Sequence, residues 1–526
     1  MRQAAADASE HAERVARLER ELLDSKARID ALTQQLDWFK RQIFGRKSEK
    51  RLLVDPAHQP LLDGLLDEAS PLGAPAPLER ISYERRKGKV RNEDCVTEQG
   101  LRFDASVPVE TITLSAPQLH GPQADDWEII AYKRTRRLAQ RPGSYVVLEY
   151  VRPVLRRKST ARLLTVPAPS ALWEGTFADV SLIAGLVQDK CVYYLPLYRQ
   201  HQRLAASGIT VSRQLLSTWV HRAAELLRPI HDAQLRSILQ SKVLAMDDTP
   251  IRAGRDHARH KMKRAYLWPV YGDRDEVTFT FSTTRGRAHV LATLGGFAGT
   301  LLCDGHEAYL HYARITRDVT HAQCWAHTRR HFEGAQSSEP AAVAEALALI
   351  GELYRIEKHI RKDGLSGEDK LAYRIEHARP VCDAFFAWCD QQCHRLELLP
   401  KDPFSIALAY AMQRRGALCV YLSDPEVAID TNHIERAIRP IAIARKNWVF
   451  CWTEIGAERL AILHSLVATC RLHRVHPYTY LVDVLQRVAT HPDSAVEELI
   501  PRRWAELFAA NPLRSDLELP VKNVVK

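Results

Sequence analysis

The sequence predicts an α/β core built on a mixed sheet and interrupted by a helical insertion, with an N-terminal coiled coil and mostly helical flanking regions. Three observations predict it. Apolar residues recur every seven positions near the N-terminus. Between residues 242 and 303, short runs rich in β-branched and aromatic residues alternate with turn signals and one short helical pattern. Residues 335–425 are rich in Ala, Leu, Glu and Arg at helical spacing. A chain of 526 residues exceeds one ordinary core, so several domains are expected.

Composition narrows the function classes. Lys and Arg number 74 against 64 Asp and Glu, a formal net charge of +10 with 22 His besides, which favours a polyanionic partner. The longest apolar runs, such as 404–412, are far too short for a membrane span, and the polar N-terminus has no signal core. Ten scattered Cys do not make a disulfide framework in so long a chain. A reduced, soluble, intracellular protein is expected.

Residues 1–54 form the oligomerisation segment. Val15, Leu22, Ile29, Leu36 and Ile43 lie seven apart, and Leu18, Leu32 and Phe39 fill the second seam, with Ser25 its weak position. Self-association explains this strict repeat better than one amphipathic helix packed on its own domain, which is the alternative. The basic residues Arg41, Arg46, Lys47, Lys50 and Arg51 follow. Residues 55–80 are a proline-rich linker. Residues 81–165 read as a small basic domain of short strands, for example 144–151, with Cys95 its one cysteine, so no cysteine-based zinc site can form there. Residues 166–235 read as helical. Within them 196–226 resemble a helix-turn-helix, with Gly208 at a helix C′ position and Ser212 at an N-cap, and a plain helical hairpin fits equally well.

Residues 236–334 carry the first part of the core. Strand 242–246 ends at Asp247 and Asp248, strands 265–271 and 276–282 follow, then helix 287–294, then strand 299–303 ending at Asp304. In this β-β-β-α-β order the first and fourth strands can lie side by side, their acids facing each other at one edge of the sheet. That is the pattern of a ribonuclease-H-like core. After the insertion at 335–425, residues 426–475 complete the core and 476–526 form a helical tail. Thr431 or Asn432 caps a helix that runs to Arg439 and is disrupted by Pro440, and this helix carries Glu435.

Carboxylates on neighbouring strand ends suit phosphodiester chemistry. Two Mg²⁺ (or Mn²⁺) ions roughly 4 Å apart activate a water and relieve charge on the leaving oxygen, and hard cations need oxygen ligands. Asp247, Asp304 and Glu435 are therefore the candidate catalytic and metal-binding residues. The plain alternatives are polar strand ends and an ordinary Glu–Arg pair on a solvated helix face. Arg436, Arg439, Arg445 and Lys446 are candidate phosphate contacts. Trp448 and Trp452 beside them suit an unpaired base, or alternatively belong to the core. Cys382, Cys389 and Cys393 fall on one helix face, where packing is the default.

Several ordered segments resemble the insertion sequence 66 family of transposases, in the DDE group. They are WFKRQIFGRKSEK (38–50), YYLPLYRQHQRLAASGITVSRQLLSTWV (193–220), AMDDTP (245–250), CDGHEAY (303–309), CWAHTRRHF (324–332), DTNHIERAIRPIAIARKNWVF (430–450) and HPYTYLVDVL (476–485). The resemblance implies that Asp247, Asp304 and Glu435 are the DDE triad. Asp248 stands where the family usually has Glu, so the first ligand is assigned to Asp247. Cys324 and His327 match a C-x-x-H signature that supports the site, and Asn432 precedes the Glu helix. The resemblance further implies metal-dependent cleavage of element ends and 3′-hydroxyl strand transfer. The implied partners are terminal inverted repeats, target DNA, a second copy through the coiled coil and accessory transposition proteins, with no membrane, in the bacterial cytoplasm at the nucleoid. A DNA-binding or assembly protein without catalysis, and a nuclease that cuts without joining, are the alternatives. Two departures stand out. The paired-cysteine zinc finger of many members is missing from 81–165, and Thr431 replaces the first of two Asn.

Overall fold

The computed structural model describes residues 101–518, apart from residues 106, 121–123, 142 and 257–258. The zipper, the linker and the start of the basic strand domain lie outside the described residues.

The first described elements are β1 (Arg102–Phe103), β2 (Val109–Thr113), β3 (Trp127–Arg141), β4 (Ser144–Arg157) and β5 (Leu163–Thr165). They correct the expectation of short strands, since β3 has 15 residues and β4 has 14, paired antiparallel along their length. The length follows from covering β4 on both faces. Val147 joins the main core, while Val146, Leu148 and Tyr150 pack in a second cluster with Leu517. A strand buried on both sides reads as a continuous apolar run without the alternation that marks its limits. The basic character is retained across the hairpin, where Glu149 takes hydrogen bonds from Arg136 (2.7 Å) and Arg134 (3.1 Å).

Next come α1 (Val180–Cys191), α2 (Leu197–Ala206), β6 (Ile209–Thr210) and α3 (Arg213–Ile238). Gly208 takes φ +80° after α2, as its C′ position demands. Ser212 caps α3 by accepting from the Leu215 amide at 3.1 Å. The turn between the helices pairs with β1. α3 is a core helix, burying Leu216, Trp219, Val220, Ala223, Leu227 and Ile230 at helical spacing.

The central sheet contains β7 (Val243–Met246), β8 (Thr249–Asp256), β9 (Lys261–Gly272), β10 (Val277–Ser282), β11 (Gly299–Cys303) and β12 (Val319–Gln323), with α4 (Arg287–Leu294) and α5 (Glu307–Ile315) between them. Its order is β10-β9-β7-β11-β12, with β8 also beside β9. β7 pairs parallel with β11 and antiparallel with β9, and β11 pairs parallel with β12. The three strands, the helix and the fourth strand read from sequence are all present. β8 has no strand signature in the sequence, because TPIRAGRD carries proline, glycine and charges instead of a strand pattern. It forms because it continues β7 along β9 in unbroken register, Met246 opposite Val270 and Thr249 opposite Leu267.

The remaining helices are α6 (Trp325–Gly334), α7 (Pro340–Asp363), α8 (Gly367–Tyr373), α9 (Arg379–Cys393), α10 (Pro403–Gln413), α11 (Arg415–Leu418), α12 (Asn432–Trp448), α13 (Glu454–Leu472), α14 (Pro477–Arg487) and α15 (Pro501–Leu507). The 335–425 stretch is helical, closed by Phe332, Phe385, Phe386 and Phe404 and by a fully buried Arg374 paired with Glu357 at 2.7 Å. Cys382 and Cys389 are buried there and Cys393 is exposed. α13 covers the edge of β10, where Ser465 and Thr469 hydroxyls accept the amides of Phe279 (2.8 Å) and Val277 (3.2 Å). An edge satisfied by side chains offers no row of bare amides to another strand.

α12 corrects a second expectation. The sequence predicts disruption at Pro440, yet the helix continues to Trp448 with the proline inside. Ile434 on one side of the proline and Ile441 and Ala444 on the other are buried, so packing holds both halves in line against a helix-interior proline penalty of about 3 kcal/mol. Among the described residues no helix is long and apolar enough to cross a membrane.

Candidate active site

The sheet sets the first two acids. β7 and β11 pair Val243 with Thr300, Leu244 with Leu301 and Ala245 with Leu302. The same parallel register carried two residues further brings Asp304 level with Asp247, on strands roughly 5 Å apart. Alternation sets their side. Ala245 and Leu302 belong to the main core, which also holds Ile434 and Ile441 of α12, whereas Leu244, Met246, Leu301 and Cys303 belong to the smaller core with Val290 of α4 and Tyr309 of α5. Asp247 and Asp304 continue the face toward α12. Asp248 is held separately by Arg285, whose Nε donates to its Oδ2 at 2.7 Å.

The electrostatics bring in the third acid. The Asp247 carboxyl is pushed up to about 7, first by burial and then by repulsion from Asp304, Asp248 and Glu435, while the Asp248 amide opposes the shift. Like charges gathered in a poorly solvated place hold on to a proton. Glu435 lies in the first turn of α12 and is ion-paired with Arg330 of α6. His327, one turn before Arg330, has its pKa lowered by burial and by the Arg330 charge, against the pull of Asp304 and Glu435. Its Nδ1 is buried without a partner. Asp304 Oδ1 accepts the His306 amide at 2.9 Å, and the Gln323 amide donates to the Asp304 carbonyl at 3.1 Å.

A cleft of about 590 Å³ is lined by Asp247, Asp248, His327, Arg330, Asn432, Glu435, Arg436 and Arg439 among others. Asp304 acts on the charges of Asp247 and His327 from outside that lining.

The start of α12 is pinned by hydrogen bonds. The Cys324 sulfur accepts both the Thr431 amide (3.3 Å) and the Thr431 hydroxyl (3.2 Å). The Trp325 amide donates to the Ile429 carbonyl at 3.1 Å. Asp430 accepts the Asn432 backbone amide at 3.0 Å as well as its side-chain amide. The Thr431 carbonyl in turn accepts the Glu435 amide at 3.1 Å. Cys324 therefore acts on Glu435 through Thr431, and its thiol is kept protonated by burial.

As it stands, no three His, Cys, Asp or Glu side chains among the described residues are close enough together to hold a metal ion. The donor chemistry nevertheless suits a hard cation. The site offers carboxylate oxygens, their mutual repulsion helps raise the Asp247 pKa, and the one strong partner of Glu435 is a guanidinium that a cation would replace.

A sequence model described as "Transposase IS66 family" matches residues 175–459, more than half of the chain, a span containing Asp247, Asp304 and Glu435. The chain belongs to the IS66 transposase family. An "IS66 C-terminal element" matches residues 465–502, and a "Transposase C of IS166 homeodomain" matches residues 31–112. Relatives at 28% identity include the uncharacterized proteins y4hP, y4jD and y4qI of Sinorhizobium fredii (strain NBRC 101917 / NGR234). The alignments cover 92%, 93% and 93% of this chain and 90%, 96% and 91% of those proteins.

The expected DNA contacts of this IS66 family member separate into two groups. Arg436 and Arg439 are exposed and line the cleft, and Lys446 is exposed further along α12. Arg445 is half-buried and donates to the Pro250 carbonyl, tying α12 to β8. Trp448 packs against the main core with the Lys190 ammonium 5.2 Å from its ring centre, while Trp452 stands 62% exposed. Sequence reading missed Arg330 and Arg285. Arg330 had a usable signal, since it lies one helical turn past His327 and so shares its face. Arg285 follows a strand in an ordinary polar turn and had none.

Proposed function

We propose that this protein is a metal-dependent DNA transposase, that its central sheet is a ribonuclease-H-like core, and that Asp247, Asp304 and Glu435 are its DDE set for two Mg²⁺ or Mn²⁺ ions. The observation that carries the reading is the register that sets Asp304 level with Asp247 on the side of the sheet that faces the Glu435 helix. Family membership supports the same reading.

When bound, the pair of cations would supply an activated water and offset charge on the leaving oxygen. The protein's own groups do the rest. Asp247 and Asp304 present oxygens from the sheet and Glu435 presents them from a helix, a rigid support on both sides. Arg330 holds Glu435 until the site is loaded. Arg436 and Arg439 line the cleft where phosphates of the element end would lie. Hydrolysis leaves a 3′-hydroxyl at the element end. Its oxygen then attacks a target phosphorus in the same cleft, the P–O bond to the target's 3′-oxygen breaks, and that oxygen leaves as a 3′-hydroxyl while the proton of the attacking hydroxyl is given up. Two distant ends must be cut together, so two copies joined by the N-terminal zipper form the working unit.

The test is strand transfer on an end-containing duplex with Mg²⁺. Loss of one ligand removes several kcal/mol of charge stabilisation, so Asp304→Asn is expected to reduce joining about 10³-fold or more. A folded Asp304→Asn protein with full joining activity overturns the chemistry. Salt-sensitive DNA binding with no metal-dependent product would leave a DNA-binding assembly protein, and cut ends without joined products would leave a nuclease.

A further inference from the structure

The β8–β9 hairpin carries a concentration of charge that the catalytic reading does not use. Residues 252–264 contain six Lys or Arg (Arg252, Arg255, Arg259, Lys261, Lys263, Arg264) and one acid, Asp256, so 6 − 1 = +5 of the chain's +10 lies in one hairpin. All six cations are exposed. Two of them make surface pairs, Arg259 with Asp256 at 3.9 Å and Lys263 with Glu454 at 2.9 Å. Pairs this exposed exchange readily for a phosphate.

The hairpin begins at the candidate active site. β8 leaves directly from Asp247 and Asp248 and runs in register with β9 to Arg252, after which a bulge precedes Arg255. Seven residues of strand from Asp248 to Arg255 span roughly 23 Å at about 3.3 Å each, or about seven base-pair steps of B-DNA.

A second feature is fixed to its side. The Cys451 amide donates to the Arg252 carbonyl at 2.8 Å, and the Gly254 amide to the Cys451 carbonyl at 3.3 Å. These bonds secure the loop after α12 to the hairpin. The loop turns through Val449 at φ +60°, a left-handed conformation that a β-branched residue rarely takes. It leaves Val449, Phe450 and Trp452 at 59%, 38% and 62% exposure. The Arg255 guanidinium lies 5.9 Å from the centre of the Trp452 ring. An exposed indole flanked by guanidinium, at the edge of a strongly cationic strand pair, matches a base stacked beside a phosphate chain. An apolar partner protein would find this patch rimmed by charge that it could not pair.

We propose that the β8–β9 hairpin and the Trp452 loop form one arm that grips a DNA end, its cations on backbone phosphates and the Trp452 ring on a terminal base that has left its pair. The proposal rests on the transposase reading for its ligand and adds a binding surface outside the acid cleft.

The experiment is equilibrium binding by the full-length protein to a blunt duplex and to the same duplex with a non-complementary, frayed end. The triple variant Arg255→Gln/Lys261→Gln/Arg264→Gln is expected to lose about 2–3 units of the log–log salt slope, at about 0.9 per phosphate contact. Trp452→Ala is expected to bind the frayed duplex about tenfold more weakly or worse, from one lost base stack, and the blunt duplex unchanged. All four positions are exposed, and melting curves matching the wild type confirm intact folding. An unchanged salt slope in the triple variant overturns the phosphate grip. Trp452→Ala that weakens both duplexes equally, or neither, overturns the stacking role. Strand transfer by the wild type is measured alongside. Its absence with arm-dependent binding intact would sink the catalytic reading alone, and its presence with arm-independent binding would sink the arm alone.

Discussion

At Asp247 burial and three neighbouring carboxylates act in the same direction, raising its pKa from 3.8 to about 7. The folded chain then binds this proton more tightly than the unfolded chain. Between about pH 4 and pH 7 the native state holds the extra proton, so stability falls as pH rises through that window. Asp247→Asn removes the burden. We expect it to raise the unfolding free energy at about pH 8 by up to roughly 4 kcal/mol and to change little near pH 4, as read from melting curves at the two values. Mn²⁺ should raise the melting temperature of the wild type at the higher pH and leave that of Asp247→Asn unmoved. Equal stability gain at both pH values would mean that the charge is already balanced in the folded site. Arg330 is the complementary case, a cation standing where a metal would pull on Glu435. Its pair is half-exposed and worth at most about 1 kcal/mol, so Arg330→Gln should lower the Mg²⁺ concentration for half-maximal joining by up to about fivefold. A lower melting temperature with an unmoved Mg²⁺ midpoint would assign it a structural role only. Asp247, Asp304 and Glu435 could be nominated from sequence because acids after apolar strands and on a capped helix are local patterns. Arg285 could not, because a partner charge is chosen by distance in space, and Arg330 shows in the sequence only the helix face it shares with His327, not its pairing with Glu435.

The elements show why some boundaries were legible and others were not. Helix 287–294 and the Ser212 cap follow from residues adjacent in sequence, and both are observed. β8 and the second half of α12 depend on distant partners. β8 exists through β9, and α12 passes Pro440 because Ile441 and Ala444 are buried beyond it. Arg445 follows the same logic: its sequence position suggests a phosphate contact, while in the fold it is tied to the Pro250 carbonyl of β8, a strand without a local signature. The junction of α6 and α12 gives a test at this scale. Thr431 is 1% exposed, and its amide and hydroxyl both donate to Cys324. Cys324→Ala strands that amide in the interior, at a cost of about 1–3 kcal/mol in unfolding free energy. It should also reduce joining by loosening Glu435, while metal-free DNA binding stays as it was. Cys324→Ser keeps an acceptor in place and should recover most of the stability. If both variants lose stability equally, the sulfur acts by filling volume and not by accepting hydrogen bonds.

For the whole molecule the proposed reaction raises the question of how one acid site would serve two DNA ends. The described unit contains one set of Asp247, Asp304 and Glu435, and a single set cannot act on two distant ends at once. The seven-residue repeat over Val15–Ile43 is the sequence signal from which pairing through this segment is proposed, and it is independent of the core. The apolar repeat covers about four heptads, so two polar substitutions within it are expected to abolish the proposed pairing. Ile29→Asn together with Leu36→Asn removes two seam contacts, each worth about 2–5 kcal/mol by analogy with core truncation. Light scattering should then report the chain mass of 59.8 kDa, where the wild type should give twice that value. The separated chains should still bind one DNA end, because the β8–β9 arm and the cleft belong to each copy. Joining of a two-ended substrate should fall sharply, and joining of precut single ends should fall less. A double variant that keeps the mass of a dimer would show that pairing does not depend on this repeat and would overturn the proposed role of the segment. A variant that is monomeric yet joins two ends as well as the wild type would show that the ends themselves bring the copies together.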